Sequence, residues 1–459
     1  MRKPFESALS SLAAALIVIA AAAPPASAAT PRPAWVVSEI RAWNHPYAAT
    51  AAGELDTKLA KMALDPYTFY RGTAHLFQRD MATWPASAYA TAQTGQTWIG
   101  GDAHLGNFDA ARDSSGVAVF RVSDFDEGYL GQYVWDLRRL ATSFVLAGRA
   151  NGVADADIRT AIGTLVGAYA DKMADFKGSG AEASFRLTKS TTTGVVDDLI
   201  AAADAKTRSA LLSKYTQVSG GVRTFQTTAD LVGVSATARS ALVGAMTGYV
   251  NSIASSKRYA AGFYTVKDVR QKLGSGVGSL GRLRYYVLVE GASTATSDDV
   301  ILEFKQAAAS AVAQTVPGNL PASAYGGHEG QRVARTAKAQ VLNADVLVGW
   351  ATVAGLPYAV HEKSPYQQDV DAPAFDSAGR LDVAASYFGQ ALASAHALAD
   401  QDYDVAVVPY SIDKQVSDAI TRKSGLKTEI ADFAFAYADQ VALDWAAFVE
   451  AYDSGAPLY

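Results

Sequence analysis

The feature that most constrains this chain is an acidic segment at residues 98–127, WIGGDAHLGNFDAARDSSGVAVFRVSDFDE. Asn107 follows Asp102 by five residues, and Asp124 follows Asn107 by seventeen. Short apolar runs precede Asp102 and Asp124, and each has the composition of a buried β-strand. If these two strands pair with each other, their ends bring all three polar side chains to one place. The fold must therefore create an acidic site from residues that are close in sequence.

These residue types, in this order, suit magnesium-dependent phosphoryl transfer. In that reaction one carboxylate orients the attacking hydroxyl, while an amide oxygen and a second carboxylate hold the metal on the phosphates. We therefore assign Asp102 as the candidate catalytic base, and Asn107 and Asp124 as the candidate magnesium ligands. A polar hairpin turn, stabilised by Asx turns, is the structural alternative. Two interpretations stay open for Asp126 and Glu127, namely groups that support the metal and solvated loop charges.

The N-terminus has the pattern of a cleavable export signal. Positive charge at Arg2 and Lys3 precedes an apolar run at 12–23, and a small-x-small cleavage site ends at Ala28. The apolar run is shorter than the about 20 residues that a membrane-spanning helix needs. We predict a signal peptide at residues 1–28, export to the periplasm or the medium, and no stable membrane span.

Charge and cysteine content exclude several function classes. Removal of the signal leaves 38 basic and 44 acidic residues, a formal charge of −6, whereas nucleic-acid-binding proteins usually present a basic face. We therefore expect no nucleic-acid partner. The chain has no cysteine, which excludes disulfides, thiolate metal sites and cysteine nucleophiles. The remaining length is enough for two lobes, and the oligomeric state is not determined by the sequence.

A second region with candidate functional residues lies late in the chain. Gly276, Gly278 and Gly281 form a G-x-G-x-x-G pattern between two predicted strands, where backbone N–H groups can close over phosphates. The next predicted strand carries Lys305, a candidate phosphate-contacting lysine. Glu329 opens the following predicted helix and is the candidate partner that orients this lysine. Together these residues are the predicted nucleotide-binding group.

Alternatives for this region stay open. The glycine pattern also occurs in flexible turns, and in dinucleotide-binding folds it opens a helix, whereas residues 283–289 have strand character. Lys305 alone is also compatible with an ordinary surface lysine. Glu303 lies on the same strand face as Lys305 by the two-residue period, but it comes from the strand itself rather than from a neighbouring helix.

Several motifs resemble those of aminoglycoside phosphotransferases, which are small-molecule relatives of the protein kinases. GDAHLGN (101–107) resembles their catalytic loop, although Gly100 stands where those enzymes carry histidine, and VSDFDEG (122–128) resembles their metal-binding segment. By the same resemblance Asp136 is a structural carboxylate that braces the catalytic loop. LASAHAL (392–398) resembles the helix that precedes their catalytic loop. The resemblance implies magnesium, and ATP or another nucleotide, as cofactors.

The order of these motifs is cyclically permuted relative to that family, because the glycine loop and lysine follow the catalytic and metal loops. The resemblance implies an α+β, two-lobed, protein-kinase-like fold, with a mainly helical large lobe and a small antiparallel-sheet lobe. We predict a helical catalytic lobe at 29–258 and a nucleotide-binding β lobe at 259–365. Helices at 366–459 would then complete the large lobe.

A wider resemblance covers nearly the whole mature chain. FYRGTAHLF, GDAHLGNF, HEGQRV and LASAHA together resemble a bacterial family called domain of unknown function 2252. Arg71 lies in the first of these motifs. It is a candidate to contact a phosphate or an acidic substrate, or to pair with a structural carboxylate.

Three functional hypotheses follow. The first is a phosphotransferase that acts on a small molecule or a surface acceptor. The second is an exported binding module that keeps the fold without turnover. The third is a metal-dependent phosphohydrolase, which would need neither Lys305 nor the glycine loop. Exported compartments hold little ATP, so the first hypothesis requires an unusual donor or a local nucleotide supply.

Overall fold

The structure is a computed structural model that describes residues 30–459. The predicted signal peptide and its cleavage site lie outside the described residues. Within residues 30–459 we find no helix with the length and apolar character that crossing a membrane requires.

Helices and antiparallel sheets both build the fold, which is therefore α+β, as predicted. The helices of the described chain are α1 (Arg32–Asn44), α2 (Ala48–Met62), α3 (Pro66–Gly72), α4 (Ala74–Met81), α5 (Tyr133–Ala150), α6 (Asp155–Phe176), α7 (Gly194–Ala205), α8 (Arg208–Tyr215), α9 (Ala236–Ser252), α10 (Ala311–Thr315), α11 (Glu329–Gln340), α12 (Ala378–Leu398), α13 (Gln401–Asp404), α14 (Ile412–Ala419) and α15 (Lys423–Asp453). The strands are β1 (Thr97–Ile99), β2 (Phe108–Arg112), β3 (Ala118–Val122), β4 (Tyr129–Gly131), β5 (Thr216–Ser219), β6 (Val222–Phe225), β7 (Leu231–Val232), β8 (Val266–Lys272), β9 (Arg284–Val289), β10 (Val300–Gln306), β11 (Gly349–Val353), β12 (Leu356–Glu362) and β13 (Gln367–Asp369).

The largest sheet is antiparallel and has six strands in the order β11-β12-β10-β9-β8-β7. A three-stranded sheet has the order β13-β2-β3, and β1 with β4 and β5 with β6 form two-stranded pairs. β10, which carries Lys305, lies inside the large sheet between β9 and β12. Because both edges of β10 are hydrogen-bonded to neighbouring strands, its side chains point in fixed directions.

Two large hydrophobic cores organise the chain. The first includes Leu140, Ile162 and Phe388, and so joins helices from both ends of the sequence. The second lies between one face of the six-stranded sheet and α9, and includes Tyr249 and Phe304. After the sheet the chain returns to the first core, where β13 pairs with β2 and α12 packs against α6.

The predicted boundary between lobes at 258 requires correction. The helix α9 precedes residue 258, yet its apolar side chains, such as Leu242 and Met246, pack on the sheet. The β5–β6 hairpin and α8 cover the opposite face of the sheet. Both faces of the sheet are apolar and must be buried, and the elements immediately before it in sequence cover them.

Local sequence explains several element boundaries. Apolar residues at helical spacing predict a helix over 155–176, and α6 spans the same residues. Ser235 caps the N-terminus of α9, because its hydroxyl accepts a hydrogen bond from the backbone N–H of Ala238. The Gly, Ser and Thr content of residues 218–228 predicts a loop, whereas the structure has the β5–β6 hairpin there. Its two-residue turn is Gly220-Gly221, with φ angles of 58° and 80°, the conformation that tight hairpins require.

Candidate functional site

The loop before Asp102 is held by a buried carboxylate. β1 ends at Ile99, and the backbone N–H groups of Gly100 and Gly101 donate to the two carboxylate oxygens of Asp136, at 2.7 and 3.0 Å. Asp136 lies in the first turn of α5 and is fully buried. The Nε2 atom of His396 lies 3.3 Å from the same carboxylate. The predicted role of Asp136 as a brace for this loop is confirmed.

Gly101 has a conformation and a packing that only glycine allows. Its φ is +74°, and a Cβ added there would lie 2.4 Å from the backbone oxygen of Glu127. The side-chain N–H of Gln78 donates to the Gly101 carbonyl at 2.7 Å. These contacts fix the backbone immediately before Asp102, so the position of the candidate base is determined by buried structure.

Asp102 forms an ion pair with a fully buried arginine. The Nε atom of Arg139 donates to Asp102 Oδ1 at 2.5 Å, and His104 Nε2 lies 3.8 Å from the other oxygen. Burial raises the pKa of Asp102 to about 7, against the opposing effect of Arg139, and the negative charges of Glu127 and Asp124 add to the rise. A carboxylate with a pKa near neutral is well matched to general-base chemistry.

The strands that position the site do not pair as expected. We expected the strand before Asp102 to pair with the strand before Asp124, whereas β1 pairs with β4 and β3 pairs with β2. A short 3-10 turn, Leu105–Asn107, instead leads directly into β2. The β2–β3 hairpin then returns the chain, and the Ser123 N–H donates to the Asn107 carbonyl at 2.8 Å. The hairpin therefore places Asn107 beside the segment that contains Asp124.

Asn107 and Asp124 present side-chain oxygen atoms that can serve as cation ligands. The side-chain N–H of Asn107 donates to the backbone oxygen of Asp102 at 2.9 Å, which leaves the amide oxygen available as a ligand. The side chain of Asp124 is 42% exposed, and both residues line the same cavity. Asp124 has a φ of 54°, an unfavourable conformation for a non-glycine residue that is concentrated at functional sites.

Lys305, which lies on β10 of the large sheet, contacts two carboxylates of the acidic segment. Its Nζ atom lies 3.1 and 3.2 Å from the two oxygens of Asp124 and 2.8 Å from Asp126 Oδ2. Burial lowers the pKa of Lys305, but the charges of Asp124 and Asp126 outweigh burial and raise the pKa above its usual value. The lysine is therefore held as a cation at the acidic cluster.

Asp126 and Glu127 are structural ion-pairing groups. Both are buried, so the interpretation as solvated loop charges is wrong. Arg282 lies 3.3 Å from Asp126 and 3.2 Å from Glu127, and Glu127 also accepts the backbone N–H of Ala311 at 2.6 Å. These contacts fix the acidic segment against the strand β9 side of the sheet and against the start of α10.

The predicted pairing of Glu329 with Lys305 is wrong. Glu329 instead accepts a hydrogen bond of 2.5 Å from Arg332, one turn later in α11. The guanidinium of Arg332 also donates to the backbone oxygens of Gly128 at 2.6 Å and Asp126 at 2.8 Å. The charge of Lys305 is already balanced by carboxylates of the acidic segment, and residues three apart on a helix are neighbours, which explains the difference.

The glycine loop connects β8 to β9, so the predicted strand–loop–strand arrangement is confirmed and the helix-opening alternative is excluded. Gly276 and Gly281 have φ angles of 78° and 100°, and a Cβ on Gly278 would lie 3.1 Å from the Arg71 carbonyl. The buried Lys58 of α2 lies 3.3 Å from the Gly278 carbonyl. The loop is thus anchored on the N-terminal helices.

One cleft is lined by four of the eight predicted site residues. The cleft has a volume of about 850 Å³ and is lined by residues that include Asn107, Asp124, Gly276 and Lys305. A smaller cavity of about 60 Å³ adjoins these residues and also includes Asp102, Gly278 and Arg71 in its lining. Gly281 and Glu329 line neither space.

The donor set fits magnesium that is bound together with phosphates. Within residues 30–459 no group of three or more His, Cys, Asp or Glu side chains is arranged to hold a metal ion. Asn107 and Asp124 supply two oxygen donors. Mg²⁺ commonly takes one or two protein carboxylates and completes its shell with substrate phosphates and water, so two protein donors are sufficient for this class of site.

Three arginines that organise this region were not predicted from the sequence. Arg139 follows Asp136 by three residues, so both lie on one face of α5, and that spacing was an available signal. The contacts of Arg282 and Arg332 with Asp126 had no such signal, because Asp126 lies 156 and 206 residues away from them in the chain. Long-range ion pairs of this kind depend on the fold.

Comparison with known proteins gives one match. A model of the family described as uncharacterized proteins conserved in bacteria, DUF2252, matches residues 51–451. No curated protein and no solved structure matches the chain. The matched range contains the acidic segment, the glycine loop and Lys305, and it covers most of the sequence. The chain therefore belongs to the bacterial family DUF2252.

Proposed function

We propose that this protein is a magnesium-dependent phosphotransferase. It would transfer a phosphoryl group from ATP or another nucleotide to a small-molecule or surface acceptor. The observation that carries the proposal is the contact of Lys305 with Asp124, at 3.1 Å, in a cleft that Asn107 and the glycine loop also line. These groups come from segments 181 residues apart, and their meeting supplies the parts that phosphoryl transfer needs.

Each group has a distinct proposed role. Asp102 would accept the proton of the acceptor hydroxyl, while Arg139 keeps its carboxylate in a fixed direction. Asn107 and Asp124 would hold Mg²⁺, which neutralises developing charge on the phosphates. When Mg²⁺ binds the Asp124 carboxylate, Lys305 would leave that carboxylate and contact phosphate oxygens instead. Its contact with Asp126 would keep it in place.

Two further observations support a kinase-like fold in permuted order. The helices α1 and α15 are adjacent, because Arg32 Nε lies 2.9 Å from Asp444 and the side chain of Asn44 donates to the Leu458 carbonyl at 3.2 Å. Permutation is tolerated when chain ends are close. The brace from Asp136 to the loop before Asp102 matches the role that the aminoglycoside phosphotransferase resemblance implies.

The test is transfer of labelled phosphate from γ-labelled ATP, with magnesium, to a panel of hydroxyl-bearing acceptors. We expect Asp102→Asn to lower transfer by roughly 10²–10⁴-fold, the usual loss for a general base. Lys305→Met should also abolish transfer, whereas Asp439→Asn, an exposed α15 control, should not change it.

Other outcomes favour the other hypotheses. Release of labelled phosphate to water that survives Lys305→Met would support a phosphohydrolase. Magnesium-dependent binding of nucleotide, without turnover on any acceptor or water, would support a binding module.

A further inference from the structure

Arg71 is a cation at the candidate site that makes no ion pair within the described residues. Of the two arginines that line the small cavity, Arg282 pairs with Asp126 and Glu127. Within residues 30–459 Arg71 has no ion pair, and its Nε atom is buried without a hydrogen-bond partner. The guanidinium lies over the ring of Tyr67, with Cζ 5.7 Å from the ring centroid.

The location of Arg71 joins the two halves of the site. The residue lies in the last turn of α3 and lines both the cleft and the small cavity. A Cβ added to Gly106, which lies between Asp102 and Asn107 in sequence, would be 3.4 Å from the Arg71 Nε atom, and a Cβ added to Gly278 of the glycine loop would be 3.1 Å from the Arg71 carbonyl oxygen. Arg71 therefore lines the same small cavity as the proposed base Asp102 and as Gly276 and Gly278 of the proposed phosphate cover.

The nearby carboxylates already have partners. Asp102 pairs with Arg139, and Asp124 pairs with Lys305. Neither of these carboxylates pairs with Arg71, and no other carboxylate in residues 30–459 forms an ion pair with it, so the alternative of a structural pairing is wrong for the described chain. A partly buried guanidinium without acceptors is costly, and its planar donor fork matches phosphate oxygens.

We propose that Arg71 binds a phosphoryl group at the Asp102 end of the site. The identity of the ligand, a phosphate of the nucleotide donor or of the acceptor, rests on the proposed function. The same oxygen chemistry has two sources, the terminal phosphate of the nucleotide donor and a phosphate carried by the acceptor. Either source places negative charge against Arg71 and next to Asp102.

The test is calorimetric titration of the wild-type protein and variants with Mg-ATP, Mg-ADP and inorganic phosphate, the last in saturating Mg-ADP. Arg71→Met should weaken binding of the recognised phosphate by about 10- to 100-fold, as expected for loss of charge-assisted hydrogen bonds. Arg71→Lys should recover part of the affinity, because it keeps the charge and loses the fork. Arg79→Met, an exposed arginine in α4, is the matched control.

The arms separate the two sources. Weaker Mg-ATP with unchanged Mg-ADP identifies the terminal phosphate of the donor. Unchanged nucleotides with weaker inorganic phosphate identify an acceptor phosphate. Equal melting temperatures of Arg71→Lys and wild type would exclude misfolding as the cause of weaker ligand binding.

The failures are distinguishable. If Arg71→Met and Arg71→Lys leave all three affinities within twofold while Lys305→Met weakens Mg-ATP, the inference is overturned and the proposed function stands. If neither nucleotide binds, while inorganic phosphate titrated alone binds the wild type and binds Arg71→Met more weakly, the anion site stands and the phosphotransferase proposal fails. If the wild type binds none of the three ligands at millimolar concentration, the Arg71 inference is overturned.

Discussion

Replacement of the buried carboxylate at Asp136 tests how the catalytic loop is held. In Asp136→Asn the side chain keeps one acceptor oxygen, but its amide group would face the second backbone N–H of the Gly100-Gly101 pair. One charge-assisted hydrogen bond is lost, at about 1.5–3 kcal/mol, and one buried N–H is left unsatisfied, at about 1–3 kcal/mol. We therefore expect the free energy of unfolding to fall by about 3–5 kcal/mol.

Denaturant unfolding followed by tryptophan fluorescence measures the loss, and hydrogen exchange locates it. The Gly100 and Gly101 amides should exchange faster in Asp136→Asn, while amides in α9, which belongs to the second core, should change least. Asp439→Asn is the control, because exposed substitutions usually change stability by less than about 0.5 kcal/mol. An Asp136→Asn protein that keeps wild-type stability and wild-type protection of both glycine amides would falsify the proposed brace.

Two other predictions concern glycine and lysine positions. Gly101→Ala should lower the free energy of unfolding by at least about 2 kcal/mol, because the positive φ and the 2.4 Å distance from an added Cβ to the Glu127 carbonyl oxygen both oppose a side chain. Gly163→Ala in α6, which has open space around it, should instead raise the free energy of unfolding by about 0.5–1 kcal/mol. Equal effects of the two substitutions in urea unfolding would contradict the packing argument. Burial lowers the pKa of Lys58 from 10.5 to about 7, so the unfolded chain binds the extra proton between these values. Stability from Lys58 is then present above the unfolded pKa and is lost as the pH falls toward 7. From pH 9 to pH 7 the wild type should lose about 2 kcal/mol relative to Lys58→Met, and parallel pH profiles of the two proteins would contradict this.

Local patterns predicted the elements better than they predicted the partners. The helix α6 is predictable over its observed range because its apolar spacing is a local signal. The set of Asp102, Asn107 and Asp124 was also found from sequence, because the hairpin that gathers them is short. The brace at Asp136 came from a resemblance, and the contact distances confirm it.

Partners that depend on distant segments were not predictable in the same way. The three-residue strand β1 has too few residues to specify its partner, and pairing with β4 follows from how both pack on the first core. Glu329 was assigned to Lys305 by analogy, but Lys305 is satisfied by Asp124 and Asp126 from another part of the chain. Competition among several charges is decided by the assembled fold.

The most direct test of a single nucleotide cleft is a crystal structure with Mg²⁺ and a nonhydrolysable ATP analogue. We predict the metal on the Asn107 amide oxygen and the Asp124 carboxylate, the phosphates under the glycine loop, and Lys305 Nζ moved from Asp124 to a phosphate oxygen. A nucleotide bound outside this cleft, or a phosphate-bound metal that contacts neither Asn107 nor Asp124, would contradict the proposed phosphotransferase site.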